Sequence, residues 1–450
     1  MDDALPVEAL ENWLQEATGA SSVAVKRRPG GGRHQAWDVT ITTADGASAR
    51  RFLRTDATRP GPHETYTLWR EAEIYAALAG AGLPAPAVLA VHPDHPAVLL
   101  DYSEGTARFA GLDPTAQASV LEDLVDVLVR MHALDVSGLP LPSLLPARSI
   151  ADHVRIELDV WEGRLDASGQ AEPFLRACFG WLRAHVPDVD GPPSMVQGDT
   201  GPGNLLHDGA RLTAVLDFEL AHLGDPMEDL AWIATRNAQE PVPDFEALLD
   251  AYERAGGTID RARIRYHLVF AELRIAVLAI ERADRAPSSD ADVGSGLIYG
   301  TLHTRLTAEA YAAATDAALP AAPVDVRHDT AATPYYDAVL EQLRTVVVPA
   351  VDDAFAAQRA KSVARVLKYL REIDRAGAAP VEAELDAAAR LLGARPESVA
   401  DARRELEAEV VANRLDATAL LPYAWARVQW EQRLREGAMG VLATRHLPTL

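Results

Sequence analysis

The chain has 450 residues, of which 48% are hydrophobic, and a formal net charge of −23 at pH 7. This length exceeds one ordinary domain and predicts two or three compact units, each with its own core. The acidic balance argues against DNA or RNA as the main partner, because phosphate backbones are bound by concentrated basic faces. The single cysteine, Cys178, excludes a disulfide framework and a cysteine metal site.

We expect a cytoplasmic protein without a membrane segment. The first residues, MDDALPVEALENWL, are acidic and amphipathic, whereas a signal peptide begins with basic and then apolar residues. The most apolar stretch of helix length, LVFAELRIAVLAI, is short and contains Glu272 and Arg274. Such a stretch is typical of a buried core helix.

Alternating apolar and polar residues predict an antiparallel sheet near the start of the chain. Residues 21–56 contain three such segments, and two more are expected within residues 87–105. A helix ending at Gly82 is expected between them. From Thr115 onwards helical spacing dominates, interrupted by two short strands in SMVQGD and LTAVLDFE.

The order of these elements predicts four segments. A small sheet lobe (residues 1–104) precedes a larger helical lobe (residues 105–320). Residues 321–334 are rich in Ala and Pro and resemble a linker. Residues 335–450 have the apolar spacing of an all-helical domain.

One stretch, VQGDTGPGNLLHDGARLTAVLDFE, combines two carboxylates and a carboxamide around a loop and a strand. Asp199 follows a strand and Gly198, from where its carboxylate can orient a substrate hydroxyl and accept its proton. Asn204 and Asp217 offer oxygen ligands, which Mg²⁺ prefers. Phosphoryl transfer from a nucleotide needs little more than a carboxylate near the hydroxyl and a metal on the phosphates.

The same residues resemble the aminoglycoside phosphotransferase and choline kinase-like family, with QGDTGPGNLL and AVLDFELAHLGDPMEDLAW as its catalytic loop and metal-binding segment. The resemblance implies an α+β, bilobal protein kinase-like fold, a small antiparallel β-sheet lobe and a larger helical lobe, followed here by an all-α domain. It also implies that Asp199 is the catalytic base and that Asn204 and Asp217 bind Mg²⁺. Gln197 stands where the family commonly has His. Glu219 matches a common family Glu without a certain role.

The resemblance places the nucleotide, ATP or GTP, in the sheet lobe. PGGGRHQ occupies the position of the glycine-rich phosphate loop, although a glycine triplet is also common in a hairpin turn. Arg54 matches the phosphate-binding cation, with a solvated edge-strand residue as the alternative, and Glu71 or Glu73 would pair with it. Backbone groups of LLDYSEGT would read the adenine edge, unless this segment only connects a strand to a helix. The cofactor-binding residues are therefore Gly31, Gly32, Arg33, Arg54, Glu71, Asp101, Tyr102 and Ser103.

These observations favour a kinase that phosphorylates a hydroxyl of a small molecule. The resemblance extends to family members joined to acyl-CoA dehydrogenase modules, which makes a hydroxyacyl thioester one acceptor class. The alternative is a nucleotide-binding pseudokinase or scaffold that acts through the C-terminal helices, where a homodimer or protein partner would bind. Gln197 and the unusual GGGRHQ loop favour this alternative weakly.

Overall fold

The structure, a computed structural model, describes residues 5–28, 34–56, 60, 64–144, 148–284 and 293–450. Two compact units divide the chain. The first comprises Met1–His153 and Asp188–Asp260, and the second comprises Val154–Pro187 and Arg261–Leu450. These limits differ from the four segments expected from the sequence, and that division stays a prediction.

The first unit begins with a helix, α1 (Val7–Thr18), and a five-stranded antiparallel sheet in the order β1-β2-β3-β5-β4. Helix α2 (Leu68–Gly80) separates the third strand from the fourth. The five strands expected from the alternation are all present. They are β1 (Ser22–Arg27), β2 (Gln35–Thr42), β3 (Ser48–Thr55), β4 (Val88–Val91) and β5 (Ala97–Asp101).

The sheet forms because one face of its strands is apolar. Trp37, Val39 and Ile41 alternate along β2 with more polar residues and are buried. They form a core with Leu10 and Leu14 of α1. Burial of an apolar side chain contributes about 1.5–3 kcal/mol to the stability of the folded chain. The apolar face of the sheet therefore packs on α1, and the alternate side chains of β3 point away from α1. Arg54 lies next to buried Leu53 and therefore points to the other face.

The rest of the first unit surrounds two small antiparallel sheets, β6-β9 and β7-β8. The sequence predicted two strands here, whereas the structure has four. The two additional strands, β7 and β9, are so short that their sequence pattern resembles that of a loop. Val215 N donates to Pro84 O at 2.8 Å, and Thr106 pairs with His207, so this part is hydrogen-bonded to the segments before β4 and after β5. The elements are α3 (Pro114–His132), β6 (Ser194–Val196), β7 (Leu205–Asp208), β8 (Arg211–Val215), β9 (His222–Gly224), α6 (Met227–Asn237) and α7 (Phe245–Arg254).

The second unit is helical. Helix α4 (Ile150–Ser168) begins in the first unit and continues into the second. The other helices are α5 (Pro173–Ala184), α8 (Arg261–Asp284), α9 (Val293–Thr315), α10 (Thr333–Gln342), α11 (Ala354–Ala376), α12 (Ala379–Leu392), α13 (Val399–Val411) and α14 (Ala417–Met439). Helix α9 packs against α8, α11 and α14, and α12 packs against α13 and α14.

The expected α+β fold class, with a helical C-terminal region, is confirmed. Residues 317–330 have no helix or strand, as the Ala- and Pro-rich composition predicts. Among the described residues, no helix is both long and apolar enough to cross a membrane.

Candidate functional site

The loop that carries Asp199 is held by the buried carboxylate of Asp229. Asp229 accepts hydrogen bonds from the backbone N–H groups of Gln197 and Gly198, both at 3.1 Å, and from the Thr200 hydroxyl. His132 Nε2 lies 3.0 Å from the same carboxylate. Gly198 has φ 77°, and a Cβ there would lie 2.6 Å from Leu220 O, so only glycine fits before Asp199.

The three oxygen-bearing side chains expected from the sequence lie together. Asn204 Nδ2 donates to the backbone O and to Oδ2 of Asp199, both at 2.8 Å. Leu216 N donates to Asn204 O at 2.8 Å, which brings the residue before Asp217 onto the loop. These two bonds use Nδ2 of Asn204, so the amide oxygen is the atom of this side chain that could ligate a cation.

Gln197 also holds the segment before Asp217, through the carbonyl group of Leu216. Its Nε2 donates to Leu216 O at 2.6 Å, and the residue is 1% exposed. At the position where the resemblance implies His, the Gln197 side chain therefore makes a hydrogen bond between the Asp199 loop and the Asp217 segment.

Asp217 is held in an unusual backbone conformation. It lies two residues beyond β8 with φ 62°, in the left-handed region that non-glycine residues rarely adopt. Its N–H donates to the hydroxyl of Tyr75 on α2 at 2.8 Å. Its carboxylate is 34% exposed, with one oxygen 3.1 Å from Arg54.

Arg54 connects the sheet, α2 and the Asp217 segment. Its Nη1 donates to Glu71 at 2.9 Å and to Asp217 at 3.1 Å, and its side chain is 13% exposed. Burial alone lowers the pKa of Arg54, but the carboxylates of Glu71 and Asp217 outweigh it and raise the pKa. Burial raises the pKa of Glu71 to about 7, against the opposing effect of Arg54. Glu73, the alternative partner, instead accepts hydrogen bonds from Ser143.

His34 joins three segments of the first unit. Its Nδ1 contacts Asp56 Oδ1, and its Nε2 lies 2.9 Å from Glu219 Oε2. Ionised carboxylates only accept hydrogen bonds, so the ring must carry both protons. Burial alone lowers the pKa of His34, but the hydrogen bonds to Asp56 and Glu219 raise it to about 9.

Arg236, at the end of α6, forms a two-pronged ion pair with Asp199. Its Nε donates to Oδ1 at 2.7 Å, and its Nη2 donates to Oδ2. Gly201 admits this side chain, because a Cβ at Gly201 would lie 2.8 Å from Arg236 Cβ. Burial raises the pKa of Asp199, whereas the Arg236 guanidinium opposes that rise and favours the ionised form.

Carboxylates outnumber cations around Arg54 and His34. Among the described residues, four carboxylates (Asp56, Glu71, Asp217 and Glu219) face two cations, Arg54 and His34. No described group of three or more His, Cys, Asp or Glu side chains is placed to hold a metal. Mg²⁺ does not require one, because it commonly takes one or two protein oxygens and completes its shell with phosphates and water.

The other cofactor-binding residues expected from the sequence are placed as follows. Gly31, Gly32 and Arg33 lie outside the described residues. Asp101 ends β5, and its N–H is already donated to Ala87 O at 2.8 Å. Tyr102 N donates to the Asp101 carboxylate at 2.9 Å, and the Tyr102 ring lies under Arg50. Within the described residues, no contact joins Asp101, Tyr102 or Ser103 to Arg54.

Sequence reasoning missed Arg236, His34 and Tyr75 as parts of the site. Arg236 follows Asp199 by 37 positions on a helix whose other residues are mostly buried. The one available signal was an Arg in the last turn of a mostly buried helix. His34 lies within the GGGRHQ segment, in which the glycines alone indicated a phosphate loop.

Comparisons with known proteins identify the family of this chain. Residues 25–267 match the phosphotransferase enzyme family, APH. Acyl-CoA dehydrogenase family member 10 of Mus musculus is 28% identical over 244 residues, 51% of this chain and 22% of that protein. Acyl-CoA dehydrogenase family member 11 of Homo sapiens is 23% identical over 215 residues, 42% of this chain and 27% of that protein.

A similar fold occurs in a solved structure. A crystal structure from Ralstonia eutropha, of a protein assigned as an aminoglycoside phosphotransferase, superimposes with a TM-score of 0.53 at 22% identity. It covers 70% of this chain and 100% of its own. The matched segments span only about a quarter of the two acyl-CoA dehydrogenase family members. Because the family match extends over more than half of its residues, the chain belongs to the phosphotransferase enzyme family and has a kinase-like fold.

Proposed function

We propose that the chain transfers the γ-phosphate of ATP or GTP to a hydroxyl of a small molecule. The observation that carries this proposal is the convergence of Asp199, Asn204 and the Asp217 segment through the Asn204 and Leu216 hydrogen bonds. Phosphoryl transfer depends mainly on positioning and charge stabilisation, and this cluster supplies both.

In the proposed reaction, the acceptor oxygen forms a bond to the γ-phosphorus while the bond between that phosphorus and the β–γ bridging oxygen breaks. ADP or GDP leaves, and the hydroxyl proton moves to the Asp199 carboxylate. Burial raises the pKa of Asp199, and the Arg236 guanidinium opposes that rise, which favours the ionised form that a base requires. Asn204 orients the carboxylate through its Nδ2.

Asn204 Oδ1 and the Asp217 carboxylate would hold Mg²⁺. Mg²⁺, when bound, neutralises negative charge on the phosphates during transfer. The excess of carboxylates over cations around Arg54 supports this role. Tyr75 would keep Asp217 in place through its hydrogen bond to the Asp217 N–H.

Arg54 would bind nucleotide phosphate from the sheet. Its ion pairs with Glu71 on α2 and with Asp217 hold the guanidinium between that helix and the proposed metal-binding segment. Gly31, Gly32 and Arg33 would contact the nucleotide phosphates, and Asp101, Tyr102 and Ser103 would contact the adenine. The N–H groups of Asp101 and Tyr102 already donate to other acceptors, so this segment would offer its carbonyl oxygens and the Ser103 N–H.

A hydroxyacyl thioester is the acceptor class that we place first. The two mammalian relatives named as acyl-CoA dehydrogenase family members support it, because they match 51% and 42% of this chain. Aminoglycosides are the second class, in line with the name of the Ralstonia eutropha protein.

The test is Mg²⁺-dependent nucleotide consumption with a panel of hydroxyacyl-CoA compounds, aminoglycosides and amino alcohols. We expect phosphorylated product with the wild-type chain and nearly none with Asp199→Asn. Nucleotide binding is measured in parallel by calorimetry. Asp199→Asn should still bind, because Arg54 and Asp217 are unchanged.

Two outcomes would contradict the proposal. Near wild-type turnover by Asp199→Asn would remove Asp199 as the base. Nucleotide binding without product from any acceptor, together with binding of a partner through the C-terminal helices, would favour the pseudokinase.

A further inference from the structure

Helix α2 begins at a threonine cap, and two N–H groups of its first turn have no acceptor. Thr67 Oγ1 accepts the N–H of Arg70 at 3.2 Å, and Thr67 O accepts the N–H of Glu71 at 3.0 Å. The N–H groups of Leu68 and Trp69 donate to no group in the described part of the chain. The first turn of a helix attracts anions, because such N–H groups and the helix dipole both present positive charge there.

The side chain of Arg70 is directed back towards this first turn. Its guanidinium carbon lies 4.8 Å from the centre of the ring of Tyr66, the residue before the threonine cap. Arg70 is 4% exposed and Tyr66 is 2% exposed. The ring attracts the positive charge but provides no oxygen to which the guanidinium could donate. The hydrogen-bonding capacity of Arg70 is therefore left to other groups.

No described group uses that capacity. Nε and Nη1 of Arg70 are enclosed without a hydrogen-bond partner, and no described carboxylate forms an ion pair with the guanidinium. Two other described arginines are also buried, and each has a carboxylate partner. Arg274 Nη2 lies 3.6 Å from Glu157. Arg305 Nη1 lies 2.6 Å from Glu309. Burial of a charge without a counter-charge is costly, so Arg70 requires an anion from outside the described chain.

We propose that the first turn of α2 and the Arg70 guanidinium form a binding site for a phosphate group. The planar fork of the guanidinium matches phosphate oxygens, and the N–H groups of Leu68 and Trp69 donate from the helix. The Thr67 hydroxyl keeps its own proton to donate, because its oxygen accepts from Arg70 N. Nη2 of Arg70 is not among the enclosed atoms, so the phosphate group approaches the fork from that side. A water molecule could accept the same N–H groups, but it would leave the charge uncompensated.

This site differs from the one that we propose for the nucleotide. Glu71, the next residue of α2, lies about 100° further round the helix. Glu71 pairs with Arg54, which we propose as the cation for nucleotide phosphate. A phosphate group at Arg70 therefore holds the helix that positions Arg54 and leaves Arg54 free for the nucleotide. Its binding can be measured whether or not the chain is a kinase.

The test is the melting temperature of the full chain as a function of inorganic phosphate, with chloride at equal ionic strength as the reference. A ligand that binds only the folded chain raises the melting temperature with its concentration. We expect a saturable rise with a dissociation constant on the order of 1 mM for the wild type. Arg70→Met should raise that constant about 10-fold or more, because it removes the charge-assisted hydrogen bonds. Arg70→Lys keeps the charge without the fork, so its affinity should lie between the two.

The melting temperatures without phosphate give a second measurement. There, Arg70→Met should melt at a higher temperature than the wild type, because it removes a buried charge that has no counter-charge. Saturating phosphate should reduce or reverse this difference. A merely structural arginine would give the opposite sign, with Arg70→Met less stable at every phosphate concentration.

Two further variants locate the ion. Arg28→Met is the matched control, because Arg28 also lies over an aromatic ring, that of Phe52, but pairs with Asp38 at 3.0 Å. It should leave the affinity for phosphate unchanged. Arg54→Met should also leave it unchanged, whereas phosphate that binds at the proposed nucleotide cation would be lost in that variant.

Repeating the titration with saturating ATP in the absence of Mg²⁺ identifies the source of the phosphate group. A response to inorganic phosphate that persists indicates a free ion. A response that disappears, together with weaker ATP binding by Arg70→Met, indicates that a phosphate of the nucleotide occupies Arg70.

Three results would overturn the inference. The first is a wild-type chain that phosphate stabilises no more than chloride does. The second is an unchanged affinity for phosphate in Arg70→Met. The third is a response that is lost in Arg54→Met and kept in Arg70→Met. None of these results bears on the proposed kinase activity, which is tested separately with Asp199→Asn.

Discussion

Arg236 Nε lies 2.7 Å from Oδ1 of Asp199, and the second prong of the guanidinium reaches Oδ2. A planar guanidinium matches a carboxylate in this two-pronged geometry, and Lys cannot reproduce it. Arg236 therefore positions the proposed base without needing to touch the reacting atoms. Gly201 belongs to the same arrangement, because it leaves room for the Arg236 side chain.

Arg236→Met should lower kcat by about 100-fold, because a base displaced by about 1 Å loses about that much. KM for the nucleotide should change little, since Arg236 contacts Asp199 and not the Arg54 cluster. Added guanidinium should restore part of kcat. Steady-state kinetics measure both constants, and a variant that loses only nucleotide affinity would contradict the positioning role.

Arg54→Met should weaken nucleotide binding by about 10- to 100-fold, since it removes charge-assisted hydrogen bonds. Glu71→Gln should weaken binding less, because Arg54 keeps its contact with Asp217. Glu73→Gln is the matched control, because Glu73 bonds Ser143 and not Arg54. Calorimetry with Mg²⁺ and nucleotide measures all three. Equal losses for Glu71→Gln and Glu73→Gln would contradict the assignment of Glu71.

Gln197→Leu should destabilise the first unit by about 1–3 kcal/mol, because the partly buried Leu216 O loses its donor. Gln197→His should be milder, since a ring N–H can still donate to that carbonyl. Urea unfolding gives the free energy of each variant. Should Gln197→Leu unfold at the wild-type urea concentration, the hydrogen bond would have no structural role.

The protonated His34 makes the stability of the first unit pH-dependent. Its pKa is about 9 in the folded chain and 6.5 when unfolded. A raised pKa contributes stability that is fully present below pH 6.5 and is lost as the pH rises through 9. The free energy of unfolding of the wild type should therefore exceed that of His34→Gln by about 3 kcal/mol near pH 6. This advantage should decline from pH 6.5 and be small above pH 9, and a constant difference would contradict it.

In the second unit, Arg427 Nη1 and Nη2 lie 2.6 and 2.9 Å from the Glu172 carboxylate. Breaking a buried pair on one side costs about 3–5 kcal/mol when the remaining charge has no other partner. Arg427 keeps its contact with Glu431 at 3.0 Å, so Glu172→Ala should destabilise the chain by less than this range. Glu172→Leu combined with Arg427→Met should lower the free energy of unfolding by much less than the sum of the losses caused by Glu172→Leu alone and Arg427→Met alone. Thermal unfolding of all variants forms a double-mutant cycle, and additive losses would show that the two charges do not interact.

The strands and the first part of the site follow from the sequence because their signals are local. The alternation of apolar and polar residues in β2 determines its buried face. Asp199, Asn204 and Asp217 all lie within residues 196–219, which form one loop and the hairpin that follows it. Short chain separations leave few ways to arrange such residues, so their spacing already brings them near one another. The short strands β7 and β9 were missed, because three or four residues carry too little pattern to distinguish a strand from a loop.

Only the tertiary structure decided which distant side chains meet. The choice of Glu71 over Glu73 depends on which turn of α2 faces β3, and the pairing of Arg236 with Asp199 depends on where α6 ends. The contacts of His34 with Asp56 and Glu219 join segments separated by up to 185 positions. The sequence determined a phosphotransferase motif and the strands that present it. Packing determined the charges around that motif, because ion pairs between remote segments exist only after the core has fixed their distances.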